Sequence, residues 1–244
     1  MSPERTLVPP APPPFLPVID RAGQALGRFP VRRIHCVGRN FAEHAREMGA
    51  AVPASPAERG QPVFFQKPAD ALVLDGRVPY PPATQALHHE VELVVALGAD
   101  AGPGPLASDA AHALVFGYGI GLDLTRRDLQ AAAKAAGLPW DTAKGFDFSA
   151  PVSPLLRAHD VGDPAALALS LHVNGQPRQH GRLRDMLWSV PEILQALAGL
   201  YALRAGDLVF MGTPAGVGPL QPGDTWQARL GDLLACDGTV LPAL

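Results

Sequence analysis

The chain has 244 residues, 47% of them hydrophobic, and a formal net charge of -3, which suffices for one sizeable core and leaves no large charge excess. Its longest basic cluster is the pair Arg126 and Arg127, so it carries no electrostatic footprint for nucleic acid or anionic lipid, and no uninterrupted apolar run reaches the roughly 20 residues of a membrane span. Cys36 and Cys236 lack metal or redox spacing and nothing at the start reads as a signal peptide, so the expectation is a soluble, cytoplasmic protein acting on a small molecule.

Residues 1–14, MSPERTLVPPAPPP, are proline-rich and aperiodic and are expected to form an extended arm outside the core. FLPVI (15–19) and AGQALGRFPV read as strand, turn and strand, with the turn at Asp20 to Gly23. IHCVG (34–38) reads as a buried strand. Asn40 then reads as the N-cap of a short helix over 41–48, with Glu43 completing a capping box. AAVPASPAERGQP (50–62) is long and aperiodic, as lids commonly are, and is expected to be mobile. From residue 62 onward the short apolar runs PVFFQK, ALVLDG, EVELVVALG, ALVFGYGIGLDL, ALALSLHVNG, DLVFMG and TWQARLG read as strands. Helices are expected over 107–114, 129–137 and 190–200, the last with Pro191 in its first turn. Because strand and helix do not alternate regularly, the pattern predicts a β-rich α+β fold rather than a doubly wound sheet. GTPAGVG (212–218) lacks the Lys-Ser/Thr ending of a phosphate loop, and its glycines read as backbone bends.

The stretch LHHEVELVVALG (87–98) holds two carboxylates inside an apolar run. In a strand Glu90 and Glu92 share a face, about 6.6 to 6.8 Å apart along the backbone, while Val91 and Leu93 face the core. On an exposed edge strand both would simply be solvated; held side by side on a buried face, they require a proton, basic partners or a divalent cation. Asp123 interrupts the glycine-rich strand GYGIGLDL in the same way and supplies a third carboxylate. An all-oxygen set selects Mg²⁺, Mn²⁺ or Ca²⁺, and three protein ligands leave positions open for water and substrate. Asp128 reads as an ion-pair partner of Arg126 and Arg127, and His88 and His89 either as polar residues at the start of the strand or as donors to the carboxylates.

The segments IHCVGRNFAEHAREMG, KPADALV, HHEVELVVALG, GYGIGLDLTRRDLQAAAKAAGLPWDTAKGFD, VNGQPRQ and GDLVFMGTPAGVGPL together resemble the fumarylacetoacetate hydrolase family over residues 31–244. Within it the chain is similar to the short single-domain acylpyruvase branch, and FFQKPADALV with LDLTRRDLQ is most similar to bacterial fumarylpyruvate hydrolases. The resemblance implies a catalytic domain at 31–244 behind an N-terminal segment at 1–30. It also implies the family's β-roll or sandwich with short peripheral helices, a homodimer, and Mg²⁺ or Mn²⁺ on Glu90, Glu92 and Asp123. Met211 stands where the family frequently has Thr, and Phe41 where it commonly has Tyr, so that Phe41 lacks a hydroxyl near the lid that a tyrosine would offer to substrate.

Hydrolysis of the C–C bond of a 2,4-diketo acid requires activated water, a base, and a place for the departing pyruvate enolate. His44 and Glu47 share a helix face, so the carboxylate orients the imidazole and raises its basicity; in related enzymes the corresponding pair activates water. Lys144, in DTAKGFDFSAP, is expected to stabilise oxyanions or to protonate the enolate, and Gln130 to hydrogen-bond substrate or water. Arg39, Asn40, Thr213 and Gly212 are candidate binders of the substrate carboxylate. The implied activity is hydrolysis of 3-fumarylpyruvate to fumarate and pyruvate, as in gentisate-type aromatic catabolism. The alternatives are oxaloacetate decarboxylation, which leaves the same enolate without an attacking water, and a non-catalytic metal-binding protein, which would not need His44, Glu47 and Lys144.

Overall fold

A computed structural model of the chain describes residues 12–47, 49, 55 and 58–243. Residues 1–11 of the expected arm and residues 50–54, 56 and 57 of the expected lid lie outside the described residues. The chain adopts the β-rich α+β fold. Its larger sheet has eight strands in the order Ala25–Pro30, Phe15–Ile19, Leu155–Arg157, Val115–Leu122, Val91–Leu97, Asp207–Phe210, Arg33–Gly38 and Val63–Lys67. A second sheet has five, in the order Gln176–Arg182, Ala168–Val173, Thr225–Leu230, Leu234–Leu241 and Arg77–Pro79.

One apolar cluster joins the two sheets, with Leu93, Val95, Ile120 and Leu122 from the larger packed in a common core with Leu169, Leu171, Trp226 and Leu230 from the smaller. A second cluster, built on Leu16, Ile34, Cys36, Val94, Leu155 and Phe210, covers the other face of the larger sheet. The strand Val91–Leu97 lies between the clusters and is buried at every residue. Burial on both faces explains its near-continuous apolar sequence. The described helices are short, the longest being Arg127–Ala136, and among the described residues no helix is long and apolar enough to cross a membrane.

Two local expectations are corrected, and one strand is new. The first helix is Ala42–Glu47, and Asn40 does not cap it: the Asn40 amide donates to the carbonyls of Trp188 (3.0 Å) and Met211 (2.8 Å), and its oxygen accepts from the Trp188 N–H (2.7 Å). Glu43 therefore has no capping box to complete. Asp128 pairs with neither arginine; it accepts from the Thr84 hydroxyl at 2.6 Å and the Gln85 N–H at 3.0 Å. Lys144 ends a helical turn, Asp141–Lys144. The strand Gln176–Arg182 was not expected, because QPRQHGR is polar and lies at the edge of its sheet. It is entered through Asn174 (φ 51°) and Gly175 (φ 73°), a left-handed pair suited to a tight hairpin.

Candidate active site

The strands Val91–Leu97 and Val115–Leu122 pair antiparallel with Val91 opposite Leu122 and Glu92 opposite Gly121. A bond from the Asp123 N–H to the Glu90 carbonyl, 2.8 Å, carries the ladder one step further. This register puts Glu90, Glu92 and Asp123 on one face, all buried, with carboxylate oxygens within 4.8 Å of one another. The glycines of GYGIGLD share the face of Asp123, and a Cβ at Gly117 would stand 2.1 Å from the Leu156 carbonyl oxygen. At Gly121 it would stand 2.7 Å from that of Pro151. The alternation of glycine with Tyr118, Ile120 and Leu122 thus admits the 151–156 segment against one face while the other builds the core.

Basic side chains close around two of the three carboxylates. Lys144 Nζ lies 2.7 Å from Glu90 Oε2, 2.5 Å from Asp123 Oδ2 and 2.7 Å from the Thr125 hydroxyl. Lys67 Nζ lies 2.9 Å from Asp123 Oδ1 and also donates to the carbonyls of Leu124 and Lys144. Arg127 pairs with Glu90 and donates to Gln130 Oε1 at 2.6 Å. Burial alone would raise Glu90, but Lys144 and Arg127 hold it well below the usual carboxylate range. Burial would lower Lys144, but Asp123 and Glu90 raise it, so the ammonium stays charged.

Glu92 differs. Among the described residues it has no ion pair, and its hydrogen bond comes from the Gly212 N–H at 2.7 Å. Burial pushes it well above the ordinary range, and Asp123 and Glu90 add to the shift. A buried carboxylate beside two others, with no side-chain cation of its own, fits a site completed by a hard divalent ion such as Mg²⁺ or Mn²⁺.

His44 lines the same cavity as the three carboxylates, Lys144 and Gln130. Its Nδ1 lies 3.2 Å from Glu47 Oε2, and Glu47 in turn accepts from the Gly216 N–H at 3.1 Å. The short helix is thereby tied to the 212–218 turn. Burial lowers the His44 pKa, partly offset by Glu90 and Glu47, so the imidazole is neutral at pH 7. With Nδ1–H donated to Glu47, Nε2 keeps a free lone pair.

Arg39 and Thr213 also line the cavity, whereas Asn40 and Gly212 serve as braces, the first between loops and the second on Glu92. Arg127, Lys67, Lys134, Phe65 and Trp140 belong to the site or its wall and were not singled out from sequence. Arg127, Gln130 and Lys134 do carry a signal, the spacing of one helix stripe. Gln179 was missed as well: it is buried, donates to the Thr213 hydroxyl and the Pro214 carbonyl at 2.8 Å, and accepts from the Val91 N–H at 3.0 Å. His89 joins Gln179 rather than the carboxylates, its Nδ1 lying 3.0 Å from Oε1.

Residues 33–241 match the family model described as fumarylacetoacetate (FAA) hydrolase C-terminal. The chain belongs to the fumarylacetoacetate hydrolase family. Within this family it is 44% identical over 203 residues to the oxaloacetate tautomerase YcgM of Escherichia coli, covering 82% of this chain and 89% of that protein. It is 41% identical over 205 residues to the mitochondrial oxaloacetate tautomerase FAHD1 of Homo sapiens, covering 84% and 89%. Among solved structures, the fumarylpyruvate hydrolase of Pseudomonas aeruginosa, in complex with Mn²⁺ and pyruvate, is 41% identical with a TM-score of 0.89, covering 98% of this chain and 100% of that one. Oxaloacetate tautomerisation was not among the reactions weighed from the sequence.

Proposed function

We propose that this family member is a Mg²⁺- or Mn²⁺-dependent acylpyruvate hydrolase whose substrate is 3-fumarylpyruvate. The observation that carries this reading is the neutral His44, held by Glu47, in one cavity with three buried carboxylates and a charged Lys144. An ion held by Glu90, Glu92 and Asp123 would supply Lewis-acid charge to the keto-acid end of the substrate. His44 Nε2 takes a proton from water as the oxygen adds to the C4 carbonyl, and Glu47 stabilises the imidazolium. The C3–C4 bond then breaks with its electron pair on C3, the acyl group leaves as fumarate, and the imidazolium proton returns to C3 to give pyruvate. Lys144, kept charged by Asp123 and Glu90, stabilises negative charge on oxygen rather than donating a proton. Arg127 and Gln130 orient the same end from the adjacent helix. The homodimer implied by the resemblance is part of this reading, and light scattering checks it.

The E. coli and human relatives favour a second reading, oxaloacetate tautomerisation, with His44 moving a proton between C3 and oxygen. Decarboxylation of oxaloacetate would draw on the same cavity. The products separate these reactions. With Mn²⁺ present, the enzyme is expected to release fumarate and pyruvate in equal amounts from fumarylpyruvate. No fumarate above the buffer rate, alongside rapid decay of the oxaloacetate enol absorbance, would replace hydrolysis with tautomerisation; CO₂ release would point to decarboxylation.

A further inference from the structure

We infer that Lys134 and Arg39 form a subsite for the second carboxylate of a dicarboxylic acylpyruvate, an inference that rests on the acylpyruvase reading and sharpens its substrate class. Five basic side chains, Arg39, Lys67, Arg127, Lys134 and Lys144, serve a cavity with three carboxylates. Lys67, Lys144 and Arg127 each pair with Glu90 or Asp123. Arg39, which is exposed at the cavity rim, and Lys134, which is half-buried, pair with no carboxylate among the described residues, so two cations along the cavity have no protein counter-charge. Lys134 is half-buried, its Nζ 5.1 Å from the centre of the Trp140 ring. Burial lowers its pKa and the charges of Arg127 and Arg39 lower it further, with Glu90 opposing them from a distance.

The helix Arg127–Ala136 acts as a ruler. Arg127, Gln130 and Lys134 fall on one stripe, and Lys134 stands about 10.5 Å along the axis from Arg127. Arg127 binds Glu90, at the metal end of the cavity. A diacid with its keto-acid end there and its chain extended along the stripe brings its far carboxylate to Lys134. Phe65 and Trp140, with ring centres 6.0 Å apart, line the cavity with flat apolar surface suited to a conjugated enoyl chain. Arg39 enters from the end of the strand Arg33–Gly38 in a left-handed conformation (φ 63°), which is unfavourable for a residue with a Cβ and clusters at functional sites. An acylpyruvate with a neutral acyl group leaves both cations unmatched.

The test compares fumarylpyruvate with acetylpyruvate in wild type, Lys134→Met and Lys134→Arg, all Mn²⁺-loaded. Methionine keeps a stem against Trp140 and removes the charge; arginine keeps the charge. The preference for fumarylpyruvate over acetylpyruvate, as a ratio of kcat/KM, is expected to fall about ten- to hundredfold in Lys134→Met, the size of a lost charged hydrogen bond, and to be largely restored in Lys134→Arg. An unchanged ratio in Lys134→Met overturns the subsite. A second readout is independent of turnover: calorimetric binding of fumarate and of crotonate, which has a methyl group in place of one carboxylate. Wild type is expected to prefer fumarate and Lys134→Met to lose that preference, whereas equal preference in both proteins counts against the subsite. If wild type hydrolyses no acylpyruvate the proposed activity fails, and the binding comparison still decides the role of Lys134.

Discussion

Glu90, Glu92 and Asp123 were legible as a set: the first two alone fit a solvated edge strand as well, and Asp123 interrupting a second apolar strand is what points to a shared site. The cations that oppose them were harder to find. Lys67 lies 56 residues from its partner Asp123, and Arg127 lies 37 from its partner Glu90, in a chain that gives no sign of which strand ends meet, so these pairings appear only in three dimensions. The carboxylates act as a unit, and Asp123→Asn, which keeps size and removes charge, is expected to lower Mn²⁺ affinity at least tenfold in a direct titration, on the order of one lost charged ligand. His44 carries a separate expectation. His44→Ala should reduce fumarylpyruvate hydrolysis about 10² to 10⁴-fold, the range for a lost general base, with Mn²⁺ binding retained. Because burial lowers the His44 pKa from 6.5, the acid limb of kcat/KM, measured at saturating Mn²⁺, should inflect below pH 6.5. An inflection above pH 6.5, or full activity in His44→Ala, removes His44 as the base.

At the scale of single elements, periodicity served well where one face was apolar and failed where packing was supplied from elsewhere. The strands at Phe15–Ile19 and Val91–Leu97 and the helix at Val190–Ala198 stand close to where alternation, apolar runs and Pro191 put them. Asn40 misled because a cap and a loop brace use the same amide, and only the carbonyls of Trp188 and Met211 tell them apart. The glycines before Asp123 admit the 151–156 backbone, a role no periodicity announces. Gly121→Ala tests that role. Its Cβ would press on the Pro151 carbonyl at 2.7 Å and the Phe210 ring at 3.0 Å, neither of which yields easily inside a core. The expected loss is about 1 to 3 kcal/mol in denaturant unfolding, as for other overpacked cores. Mn²⁺ affinity should weaken too, since the strand that shifts carries Asp123. Wild-type values of both would show that the 151–156 segment moves aside freely.

At the scale of the molecule, the strands were readable but their order was not. Arg33–Gly38 lies between Asp207–Phe210 and Val63–Lys67, pairing parallel with the first and antiparallel with the second, a contact across more than 170 residues that no local pattern encodes. That arrangement buries His35 in the larger sheet, one strand in from its edge, at 0% exposure. Its Nδ1 lies 3.4 Å from Gln66 Nε2, its Nε2 3.9 Å from Asp207 Oδ2, and its ring packs at a tilt against Tyr201, centres 5.2 Å apart. Asp207 is already engaged by Arg32 and Arg33. Burial therefore dominates and pushes the His35 pKa down from 6.5 to about 4, with Asp207 opposing and the two arginines assisting. Between pH 6.5 and pH 4 the unfolded chain takes up a proton at this position that the folded chain refuses. Stability from this group is thus complete above pH 6.5 and lost as pH falls toward 4, by about 3 kcal/mol in total. His44, His88 and His89 are also lowered and add to the same slope. The measurement is the unfolding free energy from pH 7 to pH 4.5 in wild type and His35→Gln, where glutamine can still meet Gln66 but cannot take up a proton. The expected outcome is a shallower pH dependence in the variant, by about 2 to 3 kcal/mol over the window. Parallel curves would mean that His35 is protonated without loss in the folded protein, and that this part of the sheet opens to water far more easily than its packing implies.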